Sequence, residues 1–389
     1  MRMRRSAWLC LVLVLPSLLG GCGVFSKKDE PIEAPAELTD ITPVLNIRKA
    51  WETRVGSGSK LLHLALRPAI EGGRVYAAGR DGRVHALDLE TGRSQWTTDT
   101  GLDLSAGPAA GHGLVVVGSS SGQIVALDIA DGSRRWQLQL SGEILAQAAL
   151  SSSVVVVRSV DGRMRGLAAD TGRELWMVEH QPPRLSLRGT AAPVITGNVV
   201  VAGFDNGRVG AYSLRGGEAQ WENVIAIGRG RTEIERLSDV DSTPQVIGQD
   251  VYAVSYRGRL ANLALETGQI IWATEMSSHH GLSLDWTSVY VAEAEGVVVA
   301  VNRSSGAELW RQGALRMRRL TAPTPIDQSV VVGDFEGWLH WLDVYTGNIQ
   351  ARYRAGKAAF VSAPVSGGEL LVVQDENDRV YALRAEPRG

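Results

Sequence analysis

Seven glycines in this chain each stand 14 residues before a fixed mate. The pairs are Gly82/Trp96, Gly122/Trp136, Gly162/Trp176, Gly207/Trp221, Gly258/Trp272 and Gly296/Trp310, with Ala351 in the tryptophan place after Gly337. Counting back another 14 residues from each glycine reaches Pro68, Pro108, Ala148, Pro193, Pro244, Leu282 and Pro323. One supersecondary unit of constant length has therefore recurred along the chain, and a repeat of this kind buries its apolar faces only against its neighbours. In the first copy a VYAAG run precedes Asp81-Gly82, Val84 to Leu89 alternates apolar and polar residues, Thr91-Gly92 turns the chain again, and Trp96 ends the unit. That pattern reads as a β-meander, with a two-residue type I′ turn expected at Asp81-Gly82.

An eighth copy is divided between the two ends. Pro364 stands 14 residues before Asp378, which takes the glycine place ahead of the Arg379–Arg384 run, and no tryptophan strand follows. Val44 to Trp51 is the complementary piece, a lone strand carrying a tryptophan. Joining the two predicts an all-β, eight-bladed β-propeller over residues 44–389. Its blades are four-stranded and antiparallel, the N-terminal strand completes the C-terminal blade, and Trp51 sits at the ring closure. Closure removes the open edges that an open solenoid would leave to aggregate. Each repeat tryptophan is expected between neighbouring blades, where burying about 150–250 Å² of indole contributes at most about 4–6 kcal/mol.

A net charge of -2 over 389 residues gives no reason to expect a nucleic-acid partner, which favours a concentrated basic face. Arg2, Arg4 and Arg5 followed by the apolar run Ala7 to Leu15 read as a secretory signal, too short for a membrane span. Directly after it, Leu19-Gly20-Gly21-Cys22 resembles a bacterial lipobox, which implies a signal peptide at 1–21 and lipidation of Cys22. Cys10 would leave with the signal, so the mature chain has no free thiol for a disulfide or a cysteine metal site. Gly23 lacks the aspartate that resembles an inner-membrane retention signal, which points to the outer membrane, facing the periplasm. Residues 22–43 are rich in charge and proline and read as a flexible tether.

All length variation falls between a tryptophan and the next proline position. Trp96 to Pro108 and Trp136 to Ala148 span 12 residues, and Trp272 to Leu282 spans 10, but Trp176 to Pro193 takes 17 and Trp221 to Pro244 takes 23. These connections emerge on one rim, so two enlarged loops stand side by side, the usual sign of a binding surface. The first holds Pro182-Pro183, Leu185, Leu187 and Arg188, and the second holds Asp239 and Asp241. The leucines suit an apolar partner and Arg188 suits a carboxylate. Alternatively the leucines tuck onto their own blade and Arg188 pairs internally with Asp239 or Asp241; both arrangements can hold at once. Trp51 to Pro68 also spans 17 residues, carries Leu61, Leu62 and Leu64, and is expected to serve closure or a secondary contact. The arginines at 229, 231, 236, 316, 318 and 319 read as a solvated face, and His279-His280 as a surface loop rather than a metal pair.

The run Ala86-x-Asp88…Gly92…Trp96, echoed at Ala126-x-Asp128…Gly132…Trp136, resembles the tryptophan-docking motif of quinoprotein-dehydrogenase propellers. More specifically, Leu185 to Gly189 with Ala192-Pro193, and Thr232 to Pro244, are similar to segments of the BamB family, lipoprotein propellers of the outer-membrane β-barrel assembly (BAM) machinery. That resemblance implies a non-catalytic scaffold without cofactor or metal. It implies binding to the periplasmic POTRA domains of the central barrel subunit through Leu185, Leu187, Arg188, Asp239 and Asp241, and it leaves open nascent outer-membrane proteins as a second partner. The other reading is a pyrroloquinoline-quinone-dependent dehydrogenase. That class needs a calcium held by oxygen ligands, a catalytic aspartate and often a disulfide between adjacent cysteines. The mature chain has no cysteine pair, and most of its aspartates sit at turn positions. A generic propeller adaptor of another envelope complex is the remaining alternative.

Overall fold

The computed structural model describes residues 33–58, 64, 66–181, 191–227 and 239–388. Within them the chain forms eight four-stranded antiparallel sheets. Blades 1 to 7 cover residues 69–99, 104–139, 149–179, 194–224, 245–276, 282–312 and 324–354. Blade 8 combines residues 365–387 with strand Leu45–Arg54, which pairs antiparallel with Arg379–Pro387. The predicted eight-bladed ring with its shared final blade is the observed fold.

Strand composition follows from how the blades stack. Middle strands are covered on both faces and are largely apolar, as in Val154–Arg158, four valines and an arginine that are buried throughout. Outer strands meet solvent on one side and alternate, as in Glu174–Glu179, where Trp176 is buried between exposed neighbours. The core lies between blades rather than within them. One cluster joins Tyr76, Val84 and Ala86 of blade 1 to Val115, Val117 and Leu127 of blade 2, and another joins Trp51, Val372 and Val380 of blade 8 to Val75 and Leu87 of blade 1.

Each tryptophan ties its blade to the following one. The indole N–H groups of Trp51, Trp96, Trp136, Trp176, Trp221, Trp272 and Trp310 donate at 2.7–3.2 Å to carbonyls in the third-to-fourth-strand turn of the next blade. Trp51 does this across the seam, to Leu89 O at 2.8 Å. Blade 8 takes its outer strand from Leu45–Arg54, so no Thr-Gly turn stands there to receive a tryptophan from blade 7. That blade accordingly carries Ala351, almost fully buried. Residues 36–44 cross the vacant edge instead, with Val44 N–H on Gln350 O at 2.9 Å and Leu38 against the core of blades 6 and 7.

One local expectation is corrected. Of Asp81 and Gly82, only Gly82 lies in the left-handed region (φ 94°). Its N–H reaches Gly79 O at 3.1 Å, so the connection is a four-residue turn closed by a left-handed glycine rather than a two-residue type I′ turn. At the blade 8 equivalent Asp378 takes that conformation (φ 59°), and its carboxylate accepts the Gly58 N–H at 2.8 Å, a second tie across the seam.

Candidate functional site

Four alternating strands per blade return the chain to one face after each blade, so every inter-blade connection lies on that face. The connections after blades 3 and 4 are the two long ones. Leu185, Leu187 and Arg188 lie in 182–190, and the arginines at 229, 231 and 236 in 228–238, both outside the described residues, as does Cys22. What the structure places is the ends of both loops, and these meet. Ala192, just after the first loop, donates its N–H to Thr243 Oγ1 at 3.2 Å. Val240, just after the second, donates to Phe204 O in blade 4 at 3.2 Å, and Asp239 O accepts from Tyr256 N at 2.9 Å. Ser242 Oγ is fixed to Val254 O at 3.0 Å.

Asp239 and Asp241 are thus root residues. Asp239 is only 1% exposed. Asp241 faces the central cavity of about 660 Å³, which is lined by residues in the first strands of the blades and in the connections that lead into them. Both Asp241 carboxylate oxygens are buried and have no hydrogen-bond partner among the described residues. Burial, with the charges of Asp239 and Asp205 adding to it and Arg158 opposing, pushes its pKa up to about 8. At neutral pH this carboxyl is largely protonated, which lowers the cost of holding three acidic groups together.

Arg158, from the end of Val154–Arg158, is the cation among them. Its side chain is 2% exposed and bonds Ala191 O at 3.1 Å, Gly203 O at 2.5 Å and the Asp205 carboxylate at 3.4 Å. Its guanidinium also stands 5.0 Å from the Phe204 ring centroid. His180 follows the last strand of blade 3, just before the first loop, with its ring centroid 3.9 Å from that of Phe204. His180 Nε2 lies 2.9 Å from Tyr212 OH, which donates to Glu222 at 2.9 Å. Because the hydroxyl proton goes to Glu222, Nε2 carries the proton toward Tyr212. Burial lowers the His180 pKa and keeps the ring neutral. Both ends of the first loop and the C-terminal root of the second therefore rest on one set of packed residues in blades 3 and 4. Ile227, immediately before the second loop, exposes 69% of its surface.

Sequence reasoning found the loops, Asp239 and Asp241, but missed Arg158, His180 and Phe204. The signal for Arg158 was present, because an arginine ends an otherwise all-valine strand at a place where six of the other seven repeats carry small or apolar residues.

One further expectation is changed. Arg318 is not on a solvated face: it is 3% exposed and pairs with Asp334 at 2.8 Å and with Glu336. Arg316 pairs with Glu295 at 2.9 Å, while Arg319 is exposed as expected. His279 and His280 lie in the connection between blades 5 and 6, with His279 exposed; their ring centroids are 3.9 Å apart and both line the central cavity, and no group of three His, Cys, Asp or Glu suited to a metal occurs among the described residues. Leu64 is buried beside the cavity, while Leu61 and Leu62 lie outside the described residues.

Among the described residues no helix is long and apolar enough to cross a membrane. The family model described as outer membrane protein assembly factor BamB matches residues 48–104, 80–312 and 294–387. The BamB of Alkalilimnicola ehrlichii is 48% identical over 383 residues, covering 98% of both chains. That of Pseudomonas aeruginosa is 44% identical over 371 residues, covering 95% of this chain and 97% of its own. Among solved structures, BamB from Moraxella catarrhalis superposes with a TM-score of 0.80 at 29% identity, over 87% of this chain and all of that one. With a family match along nearly the whole propeller and relatives this similar from end to end, the chain belongs to the BamB family of outer membrane protein assembly factors.

Proposed function

We propose that this protein is a non-catalytic scaffold of the outer-membrane β-barrel assembly machinery, anchored through lipidated Cys22 and facing the periplasm. Its partner is the central barrel subunit, bound through that subunit's periplasmic POTRA domains, and it assists folding and insertion of outer-membrane proteins. The observation that carries this reading is the meeting of the two enlarged inter-blade connections at their roots, through Ala192 N–H to Thr243 Oγ1. Two loops tied together at their roots suit a single binding face carrying Leu185, Leu187 and Arg188, and Ile227, immediately before the second loop, is an exposed apolar side chain. Asp239 and Asp241 act from beneath, shaping the loops more than touching the partner, because both sit at the buried roots.

The chain reaches the propeller at Ala36, whose N–H bonds Arg316 O in the connection between blades 6 and 7. The anchoring tether therefore joins the ring on the loop-bearing face. The 14 residues from Cys22 to Pro35 reach at most about 45–50 Å when extended, enough to let that face meet a partner beside the membrane.

Affinity capture of the barrel subunit from detergent-solubilised envelope tests the reading. Leu185→Ala with Arg188→Ala should cut recovery ten-fold or more at unchanged urea midpoint. Recovery at wild-type yield by the folded double variant refutes the assignment of the face. Titration with pyrroloquinoline quinone and calcium, followed by dye-linked alcohol oxidation, is expected to show no turnover.

A further inference from the structure

Four residues before each module glycine, or before Asp378 in blade 8, stand Ala78, Gly118, Arg158, Gly203, Val254, Ala292, Gly333 and Gln374. Six are small or apolar, and the reason is space: a Cβ on Gly203 would lie 2.5 Å from Val240 Cγ1. The two long polar ones behave alike. Gln374 Nε2 donates to Ala78 O at 2.9 Å, and Arg158 Nη1 donates to Gly203 O at 2.5 Å. In both cases the acceptor is the carbonyl of the equivalent residue one blade on. Gln374 does this from the C-terminal strands of blade 8, which the chain links to blade 1 not directly but through their pairing with strand Leu45–Arg54. Arg158 does it between blades 3 and 4, at the junction from which the first enlarged loop springs.

We propose that Arg158 is a positioning residue that holds the roots of both enlarged loops in one arrangement and so sets the geometry of the partner-binding face; this rests on the reading of that face given above. A tie made only for blade cohesion would need one hydrogen bond, as Gln374 makes to Ala78. Arg158 makes three, and each reaches a different part of the assembly. Ala191 O belongs to the end of the first loop. Gly203 O and the Asp205 carboxylate bracket Phe204, whose own carbonyl receives Val240 N–H from the end of the second loop. The side chain thereby grips the tripeptide on which the second loop hangs while also gripping the first loop directly. A planar fork with donors in fixed directions can do this, whereas a lysine offers one flexible ammonium. Burying a guanidinium is costly, the more so as Arg158 Nε has no hydrogen-bond partner among the described residues, so its presence at a place that is small or apolar in six of the other blades calls for a role beyond packing.

The test uses the full chain with Arg158→Gln, Arg158→Lys and Asp205→Asn. Amide hydrogen exchange is followed at Ala192 and Val240, the two root amides, and affinity is measured for the purified POTRA segment of the barrel subunit. In Arg158→Gln exchange at both amides should quicken together, ten-fold or more. Gly268, whose amide belongs to a tryptophan-docking turn remote from Arg158, should exchange as in the wild type. Affinity for the POTRA segment should fall ten-fold or more, and Arg158→Lys should recover part of both effects. Unchanged exchange at Ala192 and Val240 in folded Arg158→Gln overturns the proposal, as does loosening of both roots with no loss of affinity. If Arg158→Gln does not fold, the other two variants decide, and wild-type exchange in both of them overturns it. Failure of the wild-type chain to bind the POTRA segment removes the proposed function instead; the exchange readout then decides alone whether Arg158 ties the roots.

Discussion

Gly92 answers to two constraints at once. Its φ of +67° lies in the left-handed region, and a Cβ there would meet the Trp51 ring at 2.5 Å. The Thr-Gly turn is glycine because the preceding blade's indole lies flat against it, and the same contact recurs as Gly347 against Trp310. Gly92→Ala should therefore cost about 2 kcal/mol or more, read as a lowered urea midpoint, and a midpoint equal to wild type would contradict the close approach. Asp241 carries the pH dependence at this scale. Its pKa is raised in the folded protein from 3.8 to about 8, so the folded state holds the proton more tightly than the unfolded chain. The associated stability is complete below about pH 4, declines as pH rises toward 8 and falls no further above it. Asp241→Asn should remove that decline, visible as a flatter urea midpoint between pH 4 and 9, whereas an unchanged slope would show that Asp241 titrates normally. The glycines and tryptophans were legible as residues because they recur. That Trp51 meets Gly92 was not, since the pairing runs between copies rather than within one.

Among elements, the strap of residues 36–44 departs furthest from its composition. Few of its residues can build a core, yet it is laid along blade 7 by backbone bonds and by arginines of the propeller. Arg318 donates to Ala36 O at 2.9 Å, Arg352 to Thr39 O, and Leu38 packs on the core of blades 6 and 7. The anchor of this device is the buried Arg318–Asp334 pair, in which Asp334 also lies 3.1 Å from His340 Nε2. Burial would raise the Asp334 carboxyl, but hydrogen bonds from His340, Trp338 N–H and Arg318 outweigh it and hold its pKa below the usual carboxylate range. Arg318→Met should cost about 3–5 kcal/mol, the usual penalty for leaving one charge of a buried pair alone. It should also release the strap, so that limited proteolysis cuts between residues 35 and 44 in the variant before the propeller unfolds. Resistance equal to wild type would place the strap's hold elsewhere. A run of three basic residues near 316–319 looks solvent-directed in sequence because their partners Glu295, Asp334, Glu336 and the Ala36 carbonyl come from other segments.

For the whole ring, closure is the decisive contact. Blade 8 draws strands from both ends of the fold, and Trp51 carries the seam's docking contact to Leu89 and Gly92. Trp51→Ala should cost about 3–5 kcal/mol and should loosen the blade 8 to blade 1 junction first. Amide exchange in strand Leu45–Arg54 would rise ahead of exchange in blades 3 to 5, and uniform exchange around the ring would contradict a seam of this kind. The eight blades, the divided last blade and the place of Trp51 were determined by the sequence alone, because each follows from spacing within a copy or from complementary fragments at the ends. The enlarged connections were likewise marked by length. Only the tertiary structure decided what stands beneath them: that Asp239 and Asp241 are buried roots, that Arg158 joins both loops, and that residues 36–44 cover an outer edge of blade 7. The physical reason is common to all three. Periodicity records the contacts each repeat makes in the same way, whereas these depend on single side chains meeting across blades, at separations the repeat does not encode.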